Sequence, residues 1–134
     1  MMLRRKMSAR AEYRLRENER VSNSISLAEK FPKLESLMVN LLYFDPEGLR
    51  KTGEVKYKVN VQHARSVFSF VCPVAECICG GFDLSEALAR AVAARRRIVE
   101  GENRCPGFRL KAKVDKFPCR NLLRYKLTLG YVRG

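Results

Sequence analysis

Five cysteines, Cys72, Cys77, Cys79, Cys105 and Cys119, carry most of the chemistry this sequence can offer. Four residues separate Cys72 from Cys77, a spacing that suits a metal-binding turn. Cys105 stands before Pro106-Gly107 and Cys119 follows Pro118, so each lies where a loop can turn its thiol toward a common point. Zinc takes four tetrahedral ligands, and thiolate suits this borderline-soft ion. The expectation is one structural Zn2+ held by Cys72, Cys77, Cys105 and Cys119. Cys79 competes for one place: Gly80-Gly81 follows it, and glycine lets backbone N–H groups approach a sulfur. Cys77 has the better spacing from Cys72 and is preferred. Ordinary buried thiols are the plainer reading, since free cysteine is among the most buried residues. The Pro/Gly loops around the cysteines argue against it.

A closed site of four thiolates has no open coordination position, so catalytic zinc is disfavoured. Glu76 is the only carboxylate in the first cysteine loop, and His63 is the only histidine of the chain. His63 falls in an expected connection away from the cysteines and pairs with no nucleophile. Gly80-Gly81 is not followed by the Lys-Ser/Thr of a phosphate loop. Glu100 and Glu102 are expected at a solvated helix end. No acid, base and nucleophile converge, and an enzyme is not expected.

The elements that would position the thiols follow from period and punctuation. Ser24 or Ser26 can cap a short helix through Ile25, Leu27, Ala28 and Phe31, and Pro32 stops it. Leu37 to Phe44 is apolar on both faces apart from Asn40. It reads as a strand buried on both sides or placed at the sheet centre. Asp45-Pro46-Glu47-Gly48 is a turn. Val55, Tyr57, Val59 and Val61 alternate with Lys56, Lys58, Asn60 and Gln62, the clearest period of two in the chain. Val67 to Val71 is expected to return as its hairpin partner. Asp83 or Ser85 caps the main helix, with Leu84, Leu88, Ala91, Val92 and Ile98 at helical spacing and Gly101 beyond its end. Leu110, Ala112 and Val114 alternate with Arg109, Lys111 and Lys113, and Leu123 to Tyr131 forms the last strand. The predicted fold is α+β: an antiparallel sheet of about four to five strands with one main helix packed on one face and a short N-terminal helix, stapled by the zinc site.

The Cys72-Pro73…Cys77 turn with its nearby glycines resembles the cysteine turns of zinc ribbons and treble clefs. That resemblance covers about ten residues, and the thirteen residues between Cys105 and Cys119 depart from it. It implies structural zinc and no particular family. The order of helix, three strands and helix resembles double-stranded RNA-binding domains, without their motifs and with an added C-terminal strand.

Charge supplies the functional expectation. The chain has 134 residues, with 27 Lys+Arg against 14 Asp+Glu, a formal charge of +13. Such an excess favours a polyanionic partner. Seven of the basic residues lie in the first twenty, against three Glu. Residues 1–20 are therefore expected to be a flexible basic arm, and residues 21–134 a single domain. Lys56 and Lys58 lie on the wet face of one strand, Arg109, Lys111 and Lys113 on another, and Arg124 and Lys126 on the last. If these strands share a sheet, its open face is a basic platform. Arg95, Arg96 and Arg97 form a second cluster, which would also complement a helix C-terminus. The expected function is zinc-stabilised nucleic-acid binding, RNA before DNA, within a ribonucleoprotein or ribosome. A non-enzymatic adaptor for an acidic protein partner is the alternative. No stretch is long and apolar enough for a membrane span. With no export signal apparent, the expected location is cytoplasmic.

Overall fold

Residues 9–74, 76–111 and 115–133 are described by a computed structural model. In chain order they form α1 (Ala9–Ser22), α2 (Leu27–Lys30), β1 (Leu34–Phe44), β2 (Lys51–Val59), β3 (Ser69–Val71), β4 (Gly81–Asp83), α3 (Ser85–Ala93), β5 (Ile98–Arg104), β6 (Phe108–Lys111), β7 (Asp115–Pro118) and β8 (Leu122–Tyr131). The fold is α+β. Its main sheet is antiparallel with four strands in the order β2-β1-β8-β5, and two-stranded sheets pair β3 with β4 and β6 with β7.

Apolar cross-strand pairs close one face of the main sheet. Leu37, Val39, Leu41 and Tyr43 of β1 stand opposite Leu129, Leu127, Tyr125 and Leu123 of β8. Most of these side chains are buried, in one cluster with Leu27, Phe82, Leu88 and Ala91. Burying a leucine or valine fully contributes roughly 1.5–3 kcal/mol, so the central β1–β8 pair anchors the core. The other face of β1 is not buried as expected for a strand covered on both sides. Met38 is exposed, and Asn40, Leu42 and Phe44 are half-buried. Position at the sheet centre, not two-sided burial, accounts for the apolar run.

The local signals place several elements as expected. Ser26 caps α2, its Oγ accepting from Glu29 N–H at 3.2 Å, and Phe31-Pro32 follows the helix. Gly48 takes φ +73°, and Asp45 Oδ1 accepts from Leu49 N–H at 3.0 Å. The β1–β2 hairpin turns there.

Three pairings differ from expectation. β2 pairs with β1, and β3 pairs with β4, so the segment ending at Val71 is no hairpin partner of β2. A turn at residues 61–64 separates them. Ile98 lies on β5, not on the main helix. The helix ends at Ala93 because Arg95 turns left-handed, at φ 52°. Gly101 is a strand residue, and a Cβ there would collide with the Tyr125 ring across the ladder. Finally, β6 joins β7, not the main sheet.

Within the expected N-terminal arm, residues 9–20 are helical. Arg10 Nη2 donates to the Val74 carbonyl at 3.4 Å, and Arg20 Nη2 pairs with Asp83 at 3.3 Å. Among the described residues no helix is long and apolar enough to cross a membrane.

Candidate metal centre

Each cysteine of the centre stands where a short strand ends or a loop tightens. Cys72 follows β3, Cys105 follows β5, Cys119 follows β7, and Cys77 lies in the loop between β3 and β4. Backbone bonds lace these segments together. Ile78 and Phe108 exchange N–H to carbonyl bonds at 2.8 and 3.0 Å, Cys119 N–H donates to Gly107 O at 3.0 Å, and Cys105 N–H donates to Asn121 O at 2.9 Å. The pairing of β6 with β7 brings Cys119 back beside Cys105 despite their distance in sequence.

The result is a compact set of sulfurs. The Sγ atoms of Cys72, Cys77, Cys105 and Cys119 lie within 4.8 Å of one another, and all four residues are buried. Cys72 and Cys119 Sγ are 3.8 Å apart, and Cys77 and Cys105 Sγ are 3.5 Å apart. A tetrahedron with zinc–sulfur bonds of about 2.3 Å has edges of about 3.8 Å, so the set fits such an ion. The four cysteines can hold a metal ion. No cysteine is in a disulfide, and Cys79 stands outside the set, half-buried and left-handed at φ 56°.

Gly107 N–H donates to Cys105 Sγ at 3.4 Å, two residues on. The Val74 backbone N–H acts on Cys72 in the same direction. Such N–H donors favour thiolate over thiol. Glycine is required where the loops close over the sulfurs. A Cβ at Gly107 would lie 2.6 Å from both Cys77 Sγ and Gly80 Cα, and one at Gly80 would collide with Cys77 and Cys105 Sγ.

Crowded thiols divide their protons unequally. Hydrogen bonding from Cys72 lowers Cys105, aided by Gly107 N–H, to about 5 against the opposing effect of burial. Hydrogen bonding to Cys105, then burial, pushes Cys72 up. Burial first, then hydrogen bonding to Cys105, pushes Cys77 up to about 12. The directions oppose one another because adjacent thiolates without a cation repel, so charge on Cys105 disfavours charge on Cys72 and Cys77.

Arg109 supplies a nearby positive charge. Its Nη2 donates to Cys119 Sγ at 3.5 Å and to Asn121 Oδ1 at 2.9 Å. A divalent ion with four thiolates leaves a doubly negative centre, and one guanidinium offsets half of that. The sequence signal was available in Arg109 and Cys119 flanking a short hairpin, but alternation alone assigned Arg109 to an open sheet face.

The expected basic platform is divided. Lys56, Lys58, Arg124 and Lys126 do share the open face of the main sheet, since Asn40 stands opposite both Lys56 and Lys126. Arg109 and Lys111 are on β6, outside that sheet, and Lys113 lies outside the described residues. The open face also carries acids. Glu54 of β2 and Glu100 and Glu102 of β5 share it, with Lys126 opposite Glu100 and Arg124 opposite Glu102. Arg124 Nε pairs with Glu102 at 2.9 Å and its guanidinium stacks on Phe44. The expected run of one sign is thus a chequered surface, because β5 supplies the carboxylates assigned to a helix end. Arg95, Arg96 and Arg97 are exposed in the link between α3 and β5.

The chain matches no protein-family model, and no curated protein or solved structure is similar to it.

Proposed function

We propose that this chain is a non-enzymatic nucleic-acid-binding module, stapled by structural Zn2+ and directed to RNA before DNA. The observation that carries this reading is positive charge left without a carboxylate partner. The chain has 27 Lys+Arg against 14 Asp+Glu. Among the described residues, only Arg20, Lys51, Arg90 and Arg124 are ion-paired with carboxylates. Charge of one sign repels itself in a compact fold. A polyphosphate chain relieves that repulsion and gains further from counterion release. RNA is favoured because shape and backbone contacts need only cationic surface, and a ribonucleoprotein in the cytoplasm suits free thiols. In this reading α3 covers the apolar face of the main sheet, and the metal ties β3, β5 and β7 together. Zinc is favoured for a closed set of four thiolates.

The test is anisotropy of a fluorescent RNA titrated with metal-loaded protein over a salt series. Log affinity should fall linearly with log salt, by about 0.7 for each single-strand phosphate neutralised. No salt-dependent binding to any nucleic acid, with capture of an acidic protein instead, overturns the reading in favour of an adaptor. Elemental analysis should find one zinc per chain, and metal-free protein purified without chelator would remove the staple.

A further inference from the structure

A basic, aromatic groove lies where β8 ends beside α2 and the end of α3. Lys30, Phe31, Lys33, Val92, Arg95 and Tyr131 line a cavity of about 320 Å³, and no carboxylate of the described residues borders it. Its walls are tied in place. Val132 N–H donates to the Lys33 carbonyl at 2.9 Å. The Tyr131 hydroxyl donates to the Arg96 carbonyl at 2.7 Å, fixing the ring against the end of α3. The Arg95 guanidinium lies over that ring, 5.3 Å from its centroid, and Lys30 Nζ lies 5.7 Å from the centroid of Phe31.

Arg95 is in an uncommon backbone state. After α3, Ala94 N–H donates to Arg90 O at 3.1 Å, Arg95 N–H to Val92 O at 3.0 Å and Arg96 N–H to Ala91 O at 2.9 Å. Such a helix ending uses a left-handed residue, ordinarily glycine. Here the residue is arginine at φ 52°, a conformation in which Cβ crowds the backbone. The turn itself needs no side chain. Interaction with the helix dipole is available to Arg96 and Arg97 as well. What Arg95 alone adds is a cation over the Tyr131 ring, with lysines nearby.

We infer that this groove binds single-stranded nucleic acid, with a base on the Arg95–Tyr131 surface and neighbouring phosphates on Lys30 and Lys33. The inference rests on the nucleic-acid reading above and locates its contact away from the chequered sheet face. Bases stack on aromatic rings and guanidinium planes, but only when freed from a duplex. The cavity is at the low end of ligand sites, which span about 300–1,000 Å³, and suits one base rather than a double helix.

The experiment uses the full metal-loaded chain with fluorescent oligouridine and a fluorescent RNA duplex of equal length, followed by anisotropy over a salt series. Arg95→Gly should raise the melting temperature by relieving the left-handed arginine, yet weaken oligouridine binding about tenfold through loss of the stacked surface. Lys30→Gln with Lys33→Gln should reduce the salt slope by about 0.7 for each phosphate no longer neutralised. Lys56→Gln with Lys58→Gln removes the same two charges from the sheet face and should cost less oligouridine affinity than Lys30→Gln with Lys33→Gln, because general electrostatic attraction is lost in both pairs but the groove contact only in the latter. If wild-type protein binds RNA but the groove variants bind oligouridine equally well, the groove is not the site and the nucleic-acid reading stands. Preference for the duplex, or a larger loss in the sheet-face variant, also overturns the groove. If wild-type protein binds neither RNA with salt dependence, the groove falls and so does the RNA preference of the broader reading.

Discussion

Arg109 donates through Nη2 to Cys119 Sγ at 3.5 Å, placing a cation against the proposed metal centre. Asn121 holds the guanidinium in that position by accepting at 2.9 Å. Partners that hydrogen-bond metal ligands typically change metal affinity by about 10–100-fold. Arg109→Gln should therefore lower zinc affinity by at least about tenfold while preserving one metal per chain. Competition with a chromophoric chelator measures this. Unchanged affinity would show that the contact does not support the centre.

The cysteines separate into a set of four and an outsider. Cys105→Ser should abolish tight zinc binding, since it removes one of four converging sulfurs. Cys79→Ser should retain one zinc per chain. Elemental analysis of both variants checks the assignment. Zinc lost from Cys79→Ser and retained in Cys77→Ser would reverse the choice within that loop.

Removal of the metal should loosen the whole fold, because the cysteines join the ends of three separate strand pairs. Structural zinc contributes an apparent 10–16 kcal/mol or so in isolated fingers, against about 5–15 kcal/mol of net stability for a whole domain. Chelator should lower the melting temperature by at least about 10 °C, monitored by circular dichroism. Gly107→Ala should produce a similar loss without chelator, since its Cβ would lie 2.6 Å from Cys77 Sγ and 2.7 Å from Ile78 O. Melting curves insensitive to both would exclude a structural role.

The sulfur set was legible because Pro and Gly mark the cysteines as loop residues, and the loops converge without help from periodicity. The long strands were legible for the opposite reason: β8 alternates from Leu123 onward, and Leu37–Phe44 is too apolar for a surface segment. What escaped was pairing between distant segments. β3 and β4 have three residues each, too few to display a period of two. β5 was obscured by two local cues that point the wrong way. Ile98 continues the helical spacing of Leu84, Leu88 and Ala91, and Gly101 reads as a terminator until Tyr125 is seen packed across it. Missing β5 hid Glu100 and Glu102 from the sheet face. The same error of pairing placed Arg109 on a platform instead of beside Cys119.

Acid should release the metal, with a proton dependence set by the unequal thiols. The metal-bound centre needs thiolates, and free thiols must lose protons to become ligands. While the thiols stay packed, hydrogen bonding and burial hold Cys72 up, and burial with hydrogen bonding pushes Cys77 up to about 12; where the metal-free fold loosens, both return toward the ordinary thiol value, still protonated at neutral pH. Both release a proton on metal binding at neutral pH. Cys105, lowered to about 5 by hydrogen bonding from Cys72, adds less to that release. The bound state therefore carries fewer protons than the free state, so affinity rises with pH and falls on acidification. Between about pH 6 and 8, log affinity for zinc should increase by at least about two per pH unit. Chelator competition across that range gives the slope, and calorimetry in buffers of different ionisation enthalpy counts the released protons directly. A slope near zero would mean that the sulfurs are already ionised before metal arrives, or that they are not its ligands.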